Sequence, residues 1–279
     1  MNTLFDTLME HHAALRPAWR RPGTRLALLW IGGLALGSFA FMGAGLDLDA
    51  AAASAGPSST HPWGTDHLGR DVLARTFAAT SAWAGPAVAA VAVALALGLP
   101  TGSAAGWSGG LAANVAHAVA RATSSVPPLF WVLAASATHG ADRAVLAFAV
   151  GVTAAPSVAE LVVAHLARQR AEGSLDAALA HGLSPWAALI YGTWVGSAAR
   201  PLAQLATRLV AQVLVIEATL SYVGGGLGLP QPAPSPGNLI AFDWGYPVSW
   251  VATAAPILTL AFTLVALDAV ANALADAHD

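Results

Sequence analysis

The chain has 279 residues and a formal net charge of −3; only 10% of residues are Asp, Glu, Lys or Arg, while 56% are hydrophobic. A soluble domain carries about 25% charged residues, so most of this surface is built to meet lipid, and the near-neutral balance offers nothing to nucleic acid. Cysteine is absent, which excludes disulfides and thiolate metal sites, and all 12 basic residues are arginine; with no lysine, a Walker A loop cannot reach a nucleotide's β- and γ-phosphates.

"MNTLFDTLMEHHAAL" sets Leu4, Phe5, Leu8 and Met9 at helical spacing, so residues 1–24 read as a cytoplasmic segment, either an interfacial helix or a disordered tail. Leu26 to Leu46 is uncharged and long enough to cross a hydrocarbon core of about 30 Å. The small residues of "DAAAASAG" beyond it would also suit a cleaved signal peptide, but the apolar core of such a peptide runs only about 7–15 residues. A retained first span within residues 25–46 is expected. Residues 47–82 form the predicted extracytoplasmic loop and contain "HPWGTDHLGRDVLAR", His61 to Arg75. There Asp66 is placed to cap a helix starting near His67. The i,i+4 spacing pairs Arg70 with Asp66 and Arg75 with Asp71. On these residues alone the segment reads as a structural lid ahead of a ligand contact.

A second span is expected at about 83–105, closed by "GLPTGSAAGWSGG" (Gly98 to Gly110), and a third at about 118–138, kinked at Pro127 and Pro128 as membrane helices tolerate. The fourth covers about 144–166, interrupted by Pro156, and is followed by the polar stretch Ala167 to Ala188. The fifth and sixth lie at about 202–222 and 248–268, with "VGGGLGLP" (Val223 to Pro230) between them read as a turn at the membrane surface. With the N-terminus inside, the inner segments hold Arg16, Arg20, Arg21, Arg25, Arg121, Arg168, Arg170 and Arg200, and the outer ones only Arg70, Arg75 and Arg143. Positive charge collects inside, so both termini are expected in the cytoplasm, which suits an even number of spans.

Ionisable groups within spans cost at least about 2.5–3.5 kcal/mol to insert and usually face a bundle interior or water. Glu217 either lines a pathway or accepts hydrogen bonds from the adjacent Gly-rich turn; Glu160 is expected to pair with Arg168 or Arg170, and Asp268 to be interfacial. None of the nine histidines forms an i,i+4 pair within a span, and no H-E-x-x-H occurs, so no dedicated metal cage is read.

Several motifs now stand together. "HPWGTDHLGRDVLAR" resembles the signature ahead of the second span in C-type permease subunits of dipeptide, oligopeptide and nickel ABC importers. In the same order, "GLPTGSAAGWSGG" is similar to the family's end of span two, "DAALAHG" (Asp176 to Gly182) to its EAA loop, and "EATLSYVGGGLGLPQPAPSPGN" (Glu217 to Asn238) to its E-A-A-L-S-F-L-G-L-G segment. Pro256 and Asp268 fall where the family's last span has Pro and Asp. The likeness covers about residues 25–272. It departs at Glu160 and Val163, where relatives often carry arginine, and at Gly192 and Val195, where they have His and Pro.

The resemblance implies an all-α membrane protein with about six transmembrane helices in the type I ABC importer permease arrangement. Residues 83–272 would form a five-helix permease core with an EAA-like coupling loop at 167–190, ahead of a cytoplasmic tail at 273–279. Asp176, Ala177, Ala178, Gly182 and Trp186 would couple to the ATPase, Gly64, Thr65, Asp66, Gly69, Arg70 and Asp71 would form the extracytoplasmic motif, and Glu217 and Ser221 would be candidates for the pathway. The implied partners are a homologous second permease subunit, two ATPase subunits that hold ATP and Mg, an extracytoplasmic solute-binding protein and the bilayer of a bacterial inner membrane. This chain would bind no cofactor, catalyse nothing, and form half of a pathway for small peptides or for nickel and metal chelates. A stand-alone secondary transporter or channel is the alternative, and a membrane scaffold a third reading.

Overall fold

The computed structural model describes residues 21–41, 47–140, 142–190, 198–223, 234–242 and 250–276. Helices make up the regular structure there: α1 (Pro22–Ala40), α2 (Val72–Ala78), α3 (Thr80–Ser108), α4 (Gly110–Ser124), α5 (Pro128–His139), α6 (Arg143–Ala171), α7 (Ser174–Ala180), the single turn α8 (Pro185–Ala187), α9 (Ala199–Val223), α10 (Pro236–Phe242) and α11 (Trp250–Asp276). Among the described residues, five helical stretches are long and apolar enough to cross a membrane: α1, α2 running into α3, α6, α9 and α11. Their outward faces carry side chains such as Leu29, Leu36, Phe39, Val88 and Val265, which lipid accepts and water would not.

The centre of the bundle is the seam between α3 and α6. Gly98, Gly102 and Gly106 recur once per turn of α3. A Cβ at these positions would lie 2.5 Å from Val158 Cβ, 2.7 Å from Ala159 Cα and 2.7 Å from Leu166 Cδ1 respectively. Gly151 of α6 reciprocates, since a Cβ there would lie 2.6 Å from Val93 Cβ. Helices in lipid gain little from hydrophobic exclusion and associate through close packing of small residues. Partner numbers rise together along the seam, so α3 and α6 are parallel. Ring contacts and one hydrogen bond fasten α1 to the rest: Trp30 Nε1 donates to Thr263 Oγ1 of α11 at 3.1 Å, and Phe41 stacks on Phe77.

Two parallel helices require the chain to return between them, and α4 with α5 does so. His117 of α4 meets Glu160, and Trp131 and Ala135 of α5 share a groove with Phe148 and Ala149 of α6. The third span expected over 118–138 as one kinked helix is therefore two helices with a break at 125–127. The reason is the Pro127–Pro128 pair: both lack an amide hydrogen, and a residue preceding proline is driven from the helical region, as Pro127 shows with φ −56° and ψ 135°. The isolated prolines behave otherwise. Pro156 does not interrupt α6, and Pro86, Pro100 and Pro256 also sit inside unbroken helices. Beside Pro100, the Thr101 hydroxyl donates to the Leu97 carbonyl at 2.6 Å.

Gly102→Ala is expected to lower stability by about 1–3 kcal/mol through overpacking, measured by reversible denaturation in mixed micelles. Gly32→Ala, whose Cβ would meet nothing within 4 Å, is expected to cause no loss and at most a gain of about 1 kcal/mol from helix propensity.

Candidate functional site

At one end of the bundle the loop before α2 folds around Asp66. Gly64 and Gly69 have φ of +77° and +80°, and a Cβ at Gly69 would fall 1.8 Å from the Asp49 carbonyl oxygen. Within this turn Asp66 Oδ1 accepts from the amides of Leu68 and Arg70, each at 2.9 Å. Its Oδ2 accepts from Arg70 Nε at 2.7 Å and lies 3.4 Å from Arg75 Nε. The three residues are only 1–2% exposed. Thr65 adds a hydroxyl that donates to the Ala52 carbonyl and accepts from the Ala55 amide.

The Asp66–Arg70 pair is as expected; its neighbours are not. No helix starts near His67. Instead α2 starts at Val72, capped by Asp71, whose Oδ1 accepts from the Ala74 amide at 2.7 Å while Oδ2 lies 2.9 Å from His61 Nδ1. With Asp71 engaged in the cap, Arg75 reaches Asp66 instead. Gly64, Thr65, Asp66, Gly69, Arg70 and Asp71 thus fold together as one plug.

The opposite end carries an elbow made of α7 and α8. Leu175, Ala178 and Leu179 pack with Val162 and Leu166 of α6, and with Ala188 and Leu189. The other face is open: Asp176, Ala177, Gly182 and Trp186 are exposed, Trp186 by 68%. Of the five coupling candidates, only Ala178 turns inward. Gly182 has φ +86° and its amide donates to the Leu179 carbonyl, while the Leu183 amide donates to the Ala178 carbonyl. This is a Schellman stop, which needs a left-handed residue after the helix. Arg170 clamps the elbow's root by donating to the carbonyls of Gly106 and Trp107. Arg168 bonds Glu172 one turn on, at 2.7 Å. With both arginines so engaged, Glu160 pairs with neither and takes His117 Nδ1 at 3.0 Å.

Glu217 and Ser221 are brought together, but beneath protein. Ser221 Oγ donates to Glu217 Oε1 at 2.7 Å, and the two residues are 2–4% exposed. Their cover is α10: Gly237 presses so close to α9 that a Cβ would lie 2.0 Å from the Ala218 carbonyl oxygen. The Gly-rich turn expected beside Glu217 lies outside the described residues from 224 onward. Asp268 accepts from Asn272 Nδ2 at 2.9 Å at an exposed site.

A polar groove between these ends was not anticipated from loop charges. It holds about 380 Å³ and is lined in part by Thr123 and Ser124 beside the α4–α5 break, Thr153 and Ser157 of α6, and Arg208 and Gln212 of α9. The available signal was Arg208 itself, a cation inside an apolar run that a tally of loop arginines passes over. Among the described residues no group of three or more His, Cys, Asp or Glu is placed to hold a metal.

No protein-family model matches the chain. Known transport proteins do align with it. It is 27% identical over 245 residues to a protein of Brucella suis named as a peptide permease, covering 84% of this chain and 77% of the relative. A protein of Sinorhizobium fredii named as a peptide ABC transporter permease, y4tQ, is 28% identical over 291 residues, with 97% of this chain and 93% of the relative covered. The glutathione transport system permease protein GsiD of Pectobacterium atrosepticum is 26% identical over 177 residues, covering 63% and 58%. The chain is a distant homologue of bacterial peptide ABC permeases. Its multi-pass helical build fits the bacterial inner membrane.

Asp66→Asn leaves the Arg70 and Arg75 guanidinium groups buried without their shared carboxylate. Breaking a buried ion pair costs about 3–5 kcal/mol, so this permease homologue is expected to show a matching loss in its unfolding free energy in micelles.

Proposed function

We propose that the chain is the membrane-spanning subunit of an ABC importer, forming half of the solute pathway and taking its driving force from cytoplasmic ATPases. The observation that carries this reading is the elbow. Its apolar side is fixed on the α3–α6 seam, and its free side offers small residues, a carboxylate and an exposed tryptophan. Small residues let a partner backbone approach closely, Asp176 suits a basic group or a helix N-terminus, and tryptophan is enriched at interface hot spots. Counting α4 with α5 as one return, the helices make six crossings. The start of α1 and the end of α11 then share the elbow's side, taken as the cytoplasm on the arginine balance, and the Asp66 plug faces outward, toward a solute-binding protein. A homologous second permease subunit would complete the pathway.

The names of the three relatives above carry peptide or glutathione, which supports small peptides as solute over a nickel or metal chelate. Copurification of the intact complex with its ATPases and solute-binding protein, followed by identification of the ligand on the latter, tests partners and solute together. Ala177→Arg is the sharper test. Ala177 is exposed, so the protein is expected to insert and fold normally while uptake drops by at least about tenfold, the size of a disrupted interface contact. Normal uptake in vesicles would remove the coupling role.

A further inference from the structure

Within the importer reading, on which this inference rests, we propose that the groove beside the α4–α5 break binds the carboxylate group of the solute, with Arg208 as its direct contact. Arg208, Thr153 and Ser157 stand in the middle third of their long helices, where an ionised group is costly unless it meets water or a counter-charge. Among the described residues Arg208 has neither a hydrogen bond nor an ion pair, and its side chain is exposed to the groove it lines. Arg121, exposed in the last turn of α4 alongside Thr123 and Ser124, adds a second cation near the break. The acidic group nearest in sequence, Glu160, is three residues beyond Ser157 and is held by His117 at 3.0 Å. Among the described residues the groove is therefore lined by one cation and by no carboxylate.

Its other polar groups suit the same ligand. Ser124, Ser157 and Gln212 make no side-chain hydrogen bond among the described residues, so their donors face the space that Arg208 faces. A guanidinium fork binds a carboxylate through two parallel N–H donors, and neutral donors beside it can take the remaining lone pairs. The volume of about 380 Å³ lies within the range of small-molecule sites. A lipid phosphate would have to leave the interface to reach this depth, whereas a solute passing between two permease halves must cross it.

The absence of cysteine makes a direct test possible in the complete importer reconstituted in vesicles. Ser157→Cys places one thiol in the groove, and its labelling by an anionic sulfonatoethyl methanethiosulfonate is compared with that by the cationic trimethylammonium analogue. The anionic reagent is expected to gain a preference that Arg208→Gln reduces by at least about tenfold. Labelling by neither reagent, or a ratio indifferent to Arg208, would overturn the site. In parallel, uptake of labelled dialanine is compared with that of its C-terminal amide. Arg208→Gln is expected to lower uptake of the acid by at least about tenfold, leave that of the amide near its wild-type value, and be only partly rescued by Arg208→Lys, which restores the charge but not the paired donors. Equal loss for acid and amide, or failure of Arg208→Gln to recover with its partner permease, would assign the arginine to an inter-subunit ion pair instead. If the wild-type importer takes up neither peptide yet shows charge-selective labelling, the anion site stands and the peptide reading falls.

Discussion

Close approach of α3 and α6 is the constraint on which the rest of this structure hangs. Glycine at Gly98, Gly102 and Gly106 leaves room for the α6 surface at distances no Cβ would allow, and alanines such as Ala90 and Ala94, fully buried, continue the same face. Because the two helices are parallel, the intervening chain must travel back along them. It does so in two pieces, because a double proline will not stay helical. The break in turn exposes Thr123 and Ser124 at depth and opens the groove. A packing rule for helices in lipid thus leads, step by step, to a polar site inside the bundle.

The ends of the seam are finished differently. At one, a carboxylate that accepts three hydrogen bonds gathers two guanidinium groups in a turn shaped by two left-handed glycines. Charges buried this deeply are tolerable only when nearly every lone pair is used, which explains why the motif is so polar and yet so little exposed. At the other, apolar contacts hold the elbow's inner side and leave its outer side unpartnered among the described residues. The first arrangement suits a fixed cover, the second a surface that waits for another protein.

Much of this was legible in the residues, and the failures have local causes. Apolar runs placed the spans at about 83–105, 144–166 and 202–222 within a few residues of α3, α6 and α9, because lipid leaves hydropathy almost unopposed as a signal. The Asp66–Arg70 pair followed from spacing alone. Arg75 did not, since Asp71 was claimed by the cap of α2, a competition that i,i+4 arithmetic cannot see. Proline was misread in both directions: Pro156 was absorbed by a packed helix, while Pro127 and Pro128 together ended one. Arg208 was missed because topology rules count charges in loops, and Ala178 turned inward because a seven-residue helix must spend one side on docking.

Arg170 has a mechanical consequence. Its guanidinium joins the last turn of α6 to the carbonyls of Gly106 and Trp107, and Leu175 seats the elbow on that same joint. Both contacts tie the elbow to the paired helices across the short turn at Gly173. A shove delivered at Trp186 would therefore travel as a tilt of one stiff lever roughly 43 Å long, swinging its far end the opposite way. On the proposed coupling role, a push from an ATPase would be felt across the bilayer as rotation of that lever.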